Sequence, residues 1–142
     1  MRPITVIIFF LFAGLFFTCA KPHLAAEQEP DDNLQIPLYQ CKSVSLASDA
    51  TICFDSLLTD SRCPVYVDCV WEGFAAGKFS LTTDFAVHTF KLATMDLPGL
   101  FSKDTIVAGY KIEFINLTPY PGTVSEPVPD NVRKAELRVT KL

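Results

Sequence analysis

Polar and apolar positions alternate along much of the chain. In KAELRVTKL, Ala135, Leu137 and Val139 fall on one side and Lys134, Glu136, Arg138 and Thr140 on the other, the period-two pattern of a strand with one wet face. YKIEF sets Tyr110, Ile112 and Phe114 against Lys111 and Glu113, and KFSLT sets Phe79 and Leu81 among Lys78, Ser80 and Thr82. The segments 38–46, 51–58 and 85–92 are rich in Val, Ile, Phe and Thr and extend the series. Between them lie ASDA at Ala47 to Ala50, the stretch from Cys63 to Cys69, MDLPG at Met95 to Gly99, and a proline-rich stretch from Pro119 to Asn131. Proline concentrated in these connections leaves little room for long helices. The pattern predicts an all-β fold, a single antiparallel β-sandwich or small barrel of roughly six or seven strands.

The N-terminus departs from this alternation. After Arg2 comes an apolar run from Ile4 to Phe17, then Thr18, Cys19 and Ala20, which is the layout of a secretory signal peptide. The run is shorter than the ~20 residues a membrane-spanning helix needs. Residues 1–20 are therefore read as a leader. Cys19 stands where a bacterial lipoprotein carries its acylated cysteine; the competing reading is cleavage after Thr18-Cys19-Ala20, which discards it. Residues 21–34, with KPHLAAEQEPDDN, read as a flexible tether, and 35–142 as one compact domain. The expected location is outside the cytoplasm, either in the cell envelope as a membrane-anchored lipoprotein or as a periplasmic or secreted protein.

The formal net charge of −4 becomes −5 once residues 1–20, which hold Arg2 and no acid, are set aside. Basic residues are scattered singly apart from Arg133-Lys134, which argues against nucleic acid as a partner. Without Cys19, four of the five cysteines remain: Cys41, Cys53, Cys63 and Cys69. An even number in an exported domain fits two disulfides. Cys63–Cys69 would close a short loop turned by Pro64, and Cys41–Cys53 would join the first two strands as a hairpin; four cysteines also allow two other connectivities. The C-x₅-C spacing does not match redox or zinc motifs, and His23 and His88 are poorly placed to complete a metal site. Asp60 and Asp68 lack the ligand density of a calcium loop. No metal and no cofactor is expected.

Around the loop, Arg62 is placed to pair with Asp60 or Asp68. Trp71 is expected to plug the open end of the sheet with its indole N–H on a carbonyl. Gly73 and Gly77 read as bulge or bend positions.

DSRCPVYVDCVWEG and the later LTPYPG resemble the D-S-R-C-P-x-x-V-x-C-x-W-x-G and L-x-P-Y-P signatures of a group of uncharacterised small bacterial secreted proteins and lipoproteins. The first signature matches at Asp60, Ser61, Arg62, Cys63, Pro64, Val67, Cys69, Trp71 and Gly73, the second at Leu117, Pro119, Tyr120 and Pro121. Glu72 stands where members usually have alanine, and Cys41 and Cys53 lie outside the signature. The resemblance implies a β-rich extracytoplasmic domain and brings no activity.

His88 is the one imidazole in the expected domain, and no Gly-x-Ser-x-Gly elbow or glycine-rich phosphate loop is present. The acids Asp55, Asp60, Asp68, Glu72, Asp84 and Asp96 show no spacing that selects a catalytic pair. The expectation is a non-catalytic binding or structural module whose unknown partner is an envelope protein or a glycan. Tyr66 and Tyr120 are the candidate ligand contacts, since tyrosine gives large contact area at modest entropy cost. The alternatives are a secreted protease inhibitor using the Cys63–Cys69 loop and, further off, a hydrolase. Asn116-Leu117-Thr118 is a glycosylation sequon made unfavourable by Pro119.

Overall fold

The computed structural model describes residues 31–45, 50–84, 86–123 and 127–142. The expected leader, Cys19 and most of the expected tether lie outside the described residues. The alternating segments form strands β1 (Asp31–Pro37), β2 (Cys41–Ser43), β3 (Thr51–Asp60), β4 (Ala75–Thr82), β5 (Val87–Ala93), β6 (Asp104–Val107), β7 (Tyr110–Thr118) and β8 (Lys134–Lys141). They make two four-stranded antiparallel sheets, one in the order β1-β8-β7-β6 and the other β2-β3-β4-β5. The result is an open sandwich, so of the two expected architectures the barrel is set aside.

Alternation decides which side chains meet between the sheets. Ile36, Ile112, Phe114, Leu117, Leu137 and Val139 from one sheet face Ile52, Phe54, Phe79, Leu81 and Leu92 from the other in one buried cluster. Phe79 stacks on Phe54 at 5.0 Å and on Phe90 at 6.1 Å, and meets Phe114 edge-on at 5.3 Å. Gly77 is a packing position: a Cβ there would fall 2.8 Å from the Phe54 ring. The bulges lie opposite it in β3, where register shifts between Phe54 and Ser56 and between Leu57 and Thr59. On the outer face of β4, Ser80 is buried while its hydroxyl donates to Asp55 at 3.0 Å, and Ala76 on the same face is also buried.

Three expectations need correction. Residues 31–34 of the expected tether belong to the sandwich, because β1 pairs with β8 from Asp31↔Thr140 to Pro37↔Lys134 and buries Leu34 and Ile36. The expected strand over 38–46 shrinks to β2, because Leu38 to Gln40 make the crossing between sheets, with the Gln40 N–H on the Pro37 carbonyl at 3.0 Å and Tyr39 at φ 65°. The short β6 was not expected, and with β1 it raises the count above six or seven.

The registers define two poles. Thr118, Lys134 and Pro37 are neighbours at one, and the β3–β4 hairpin turns there at Asp60↔Ala75. Asp31 sits at the other, beside Thr140, near the β6–β7 turn at Gly109 whose carbonyl accepts the Leu142 N–H.

Candidate functional site

The first signature forms the apex of the β3–β4 hairpin. Its stem extends the strands: the Ser61 N–H donates to the Phe74 carbonyl at 2.8 Å and the Cys63 N–H to the Glu72 carbonyl at 2.7 Å. Gly73 bulges in this stem with φ +69°, and a Cβ there would lie 1.9 Å from the Ser61 carbonyl oxygen, so only glycine fits. Beyond the stem the Cys63–Cys69 bridge closes the apex, and the Val67 N–H donates to the Pro64 carbonyl at 3.1 Å to make a turn with Val65 and Tyr66 at its corners. The second bridge, Cys41–Cys53, joins directly opposed residues of β2 and β3. Both expected pairings are therefore the ones formed.

Arg62 points from the stem into the end of the other sheet and is buried there. Its guanidinium holds Asp60 bidentately, Nε to Oδ1 at 2.7 Å and Nη2 to Oδ2 at 2.9 Å. Nη1 donates to the Leu117 carbonyl and reaches Asn116 Oδ1 at 3.5 Å, Nη2 reaches the Pro119 carbonyl at 3.4 Å, and the guanidinium carbon sits 4.6 Å from the centre of the Tyr120 ring. The Val65 N–H adds a bond to the Pro121 carbonyl at 3.0 Å. The two signatures, far apart in sequence, thus form one contact in space.

A third charge completes the cluster. Arg133 Nη1 donates to Asp60 Oδ2 at 2.7 Å, so a buried carboxylate lies between two largely buried guanidiniums. The short 3-10 turn Asp130–Val132 delivers Arg133 to this position, where Nε also meets the Val128 carbonyl at 3.1 Å. Burial alone would raise the pKa of Asp60; hydrogen bonds from Arg62 and Arg133, together with their charges, outweigh it and hold the carboxyl below its ordinary value. Asp60 is thus Arg62's partner. With both oxygens committed to arginines, it is not presented to a calcium ion with Asp68.

Outside this frame the apex is apolar and exposed. Val65, Tyr66, Val67, Val70 and Trp71 all face solvent, Tyr66 with 80% of its surface open. Trp71 does not plug the sheet: it is 54% exposed and meets Phe74 edge-on at 6.1 Å. Phe74 is half-buried between Trp71 and Phe101, its ring 6.0 Å from that of Phe101. Comparison with known protein families, curated proteins and solved structures gives no match.

Of the two candidate contact tyrosines, Tyr66 is exposed at the apex, whereas Tyr120 divides its ring between solvent and Arg62. Of the acids considered for catalysis, Asp55 accepts from Ser80, Asp60 holds the arginines and Asp96 accepts the Lys103 N–H at 2.7 Å. Asp68, Glu72 and Asp84 are exposed. His88 is half-buried in β5 opposite Leu81. Asn116 of the sequon is half-buried, its carbonyl oxygen accepting the Leu117 N–H at 2.8 Å. Arg133 was missed by sequence reasoning. Its one signal is position: next to Lys134, which begins a strand with its side chain outward, Arg133 falls on the opposite parity.

Proposed function

We propose that the protein is a non-catalytic contact module of the cell envelope, exported, held at a membrane through Cys19, and presenting the Cys63–Cys69 apex to a protein or glycan. One observation carries this reading: five large apolar side chains stand exposed on an apex fixed by a disulfide, a backbone ladder and a buried ion cluster. Exposed apolar groups on a floppy loop lose ordering entropy when they bind; on a braced loop most of that cost is met during folding. Bridged thiols also fit an oxidising compartment.

A photo-cross-linking amino acid at position 66, in cells that produce the protein, tests the contact. The expected product is a discrete adduct, absent when the same group replaces Lys111 at the far pole and lost in Cys63→Ser/Cys69→Ser. Protease or glycosidase sensitivity of the adduct separates the two partner classes. Identical adduct patterns from positions 66 and 111, or none from either, would overturn the contact reading. Intact mass of the exported protein reports acylation of Cys19.

A protease inhibitor using the same loop is the second reading, supported by the bridge. The Pro64–Val67 turn leaves little extended backbone to lie along a protease cleft, which favours the general contact module.

A further inference from the structure

The apex combines its apolar groups with an unbalanced charge. Residues 59–77 hold three acids, Asp60, Asp68 and Glu72, and one cation, Arg62. Arg62 and Arg133 are taken up by Asp60 and Asp130. Asp68 and Glu72 are exposed and form no ion pair among the described residues. Asp68 stands between the exposed Val67 and the bridged Cys69; Glu72 follows Trp71 and lies level with Cys63, whose N–H its carbonyl accepts. Lys134, an exposed cation at the same pole, lies back on β8 opposite Thr118. The tip is thus an apolar knob with two unpaired carboxylates in its rim.

This combination narrows the partner. An anionic lipid surface would meet the two carboxylates with like charge, and sinking Trp71 into any bilayer would carry the adjacent Glu72 toward the acyl chains at a cost. A glycan presents hydroxyls that need polar partners once buried, and Val65, Val67 and Val70 offer none from their side chains. A protein surface with an apolar centre and a basic rim suits both parts of the tip. Tyr66 and Trp71 are the residue types that anchor such interfaces, and lysine or arginine on the other side would meet Asp68 and Glu72 at the edge. A guanidinium can also lie on the exposed indole of Trp71. Beside Glu72 is a recess of about 140 Å³ shared with Met95, Tyr120 and Arg62, whose charge Asp60 already holds. It gives the stem of a long cationic side chain an apolar wall.

We infer that the partner of the apex is a cationic protein segment with apolar side chains set among its lysines or arginines. Val65, Tyr66, Val70 and Trp71 hold its apolar groups, and Asp68 and Glu72 hold its charges. The inference rests on the apex contact reading and goes past it by choosing protein over glycan and fixing the sign of the partner's charge.

Trp71 is the one tryptophan of the chain, so its fluorescence reports on the apex directly. The full chain in neutral detergent is titrated with a short peptide alternating arginine and leucine, and with counterparts that carry glutamate for arginine or serine for leucine. The arginine-leucine peptide should change the Trp71 emission with a Kd below about 1 mM. The arginine-serine peptide should bind more weakly, and the glutamate peptide should leave the emission unchanged. Asp68→Asn/Glu72→Gln, at two exposed positions, should keep the urea midpoint of wild type and weaken the arginine-leucine peptide about fivefold or more, the effect of losing two exposed ion pairs. No response to that peptide, an equal response to either counterpart, or indifference to the double variant overturns the inference. So does a blue shift of Trp71 in phosphatidylcholine or phosphatidylglycerol vesicles, which assigns the apex to lipid, or saturable binding of a cello-oligosaccharide, which assigns it to glycan. Each of these failures leaves the contact reading standing as long as position 66 still yields its adduct in cells; absence of that adduct overturns the contact reading and the inference with it.

Discussion

At the scale of single residues, Asp60 holds the most consequence. It is one carboxylate between two buried cations, and its removal would leave Arg62 without its counter-charge and Arg133 with only the exposed Asp130, 3.4 Å from its Nε. Asp60→Ala should therefore cost about 3–5 kcal/mol of unfolding free energy by urea denaturation, far more than Tyr66→Ala at the exposed apex, expected within about 0.5 kcal/mol. The lowered pKa of Asp60 fixes the sign of its pH dependence. A depressed folded value means that its contribution is complete above the ordinary carboxylate value of about 4 and is lost as pH falls from there through the folded value. The stability gap between wild type and Asp60→Asn should accordingly be wide at neutral pH and narrow as the medium is acidified below about pH 4. A gap that stays constant across that range would show that Asp60 acts through shape and not charge. The Asp60–Arg62 pair is legible in the sequence because its members are two residues apart. Arg133 is not, because it lies 73 residues from Asp60 and only the strand order brings them together. Trp71 misleads for a related reason: a lone tryptophan beside a bridge suggests burial, but its placement depends on the positive φ of Gly73.

At the scale of elements, strands with a clean wet and dry face could be read directly. β7 and β8 repeat the pattern seen in YKIEF and KAELRVTKL, with Ile112, Phe114, Leu137 and Val139 fully buried. β1 could not, since Leu34 and Ile36 follow a run of acids and a proline that reads as linker. β6 has four residues, too few for a period, and its Ile106 faces solvent. The cysteine hairpin was legible from parity and turn spacing, and the opposed Cys41 and Cys53 match it. By the chain-entropy model, Cys63→Ser/Cys69→Ser should cost about 2 kcal/mol and Cys41→Ser/Cys53→Ser, which opens a longer loop, about 3 kcal/mol. Thermal denaturation of the two variants ranks them. The reverse order would place the stabilisation in the apex contacts and not in chain closure.

At the scale of the whole molecule, the first described strand lies beside the last, and β8 gains its second neighbour only through β1. Deleting residues through Pro37 should leave β8 as a bare edge and uncover the core beneath Ile36, with loss of a single cooperative unfolding transition and raised aggregation. A truncated chain that unfolds like the intact one would make β1 an accessory. Pole geometry has an outcome of its own. The backbone enters the sandwich at Asp31 and the aromatic tip lies past the far end of that strand, a rise of about 20 Å for seven residues. Were the proposed anchor ahead of Asp31 to moor the chain, an upright body would carry Tyr66 and Trp71 outboard as a standoff probe, clear of the mooring surface.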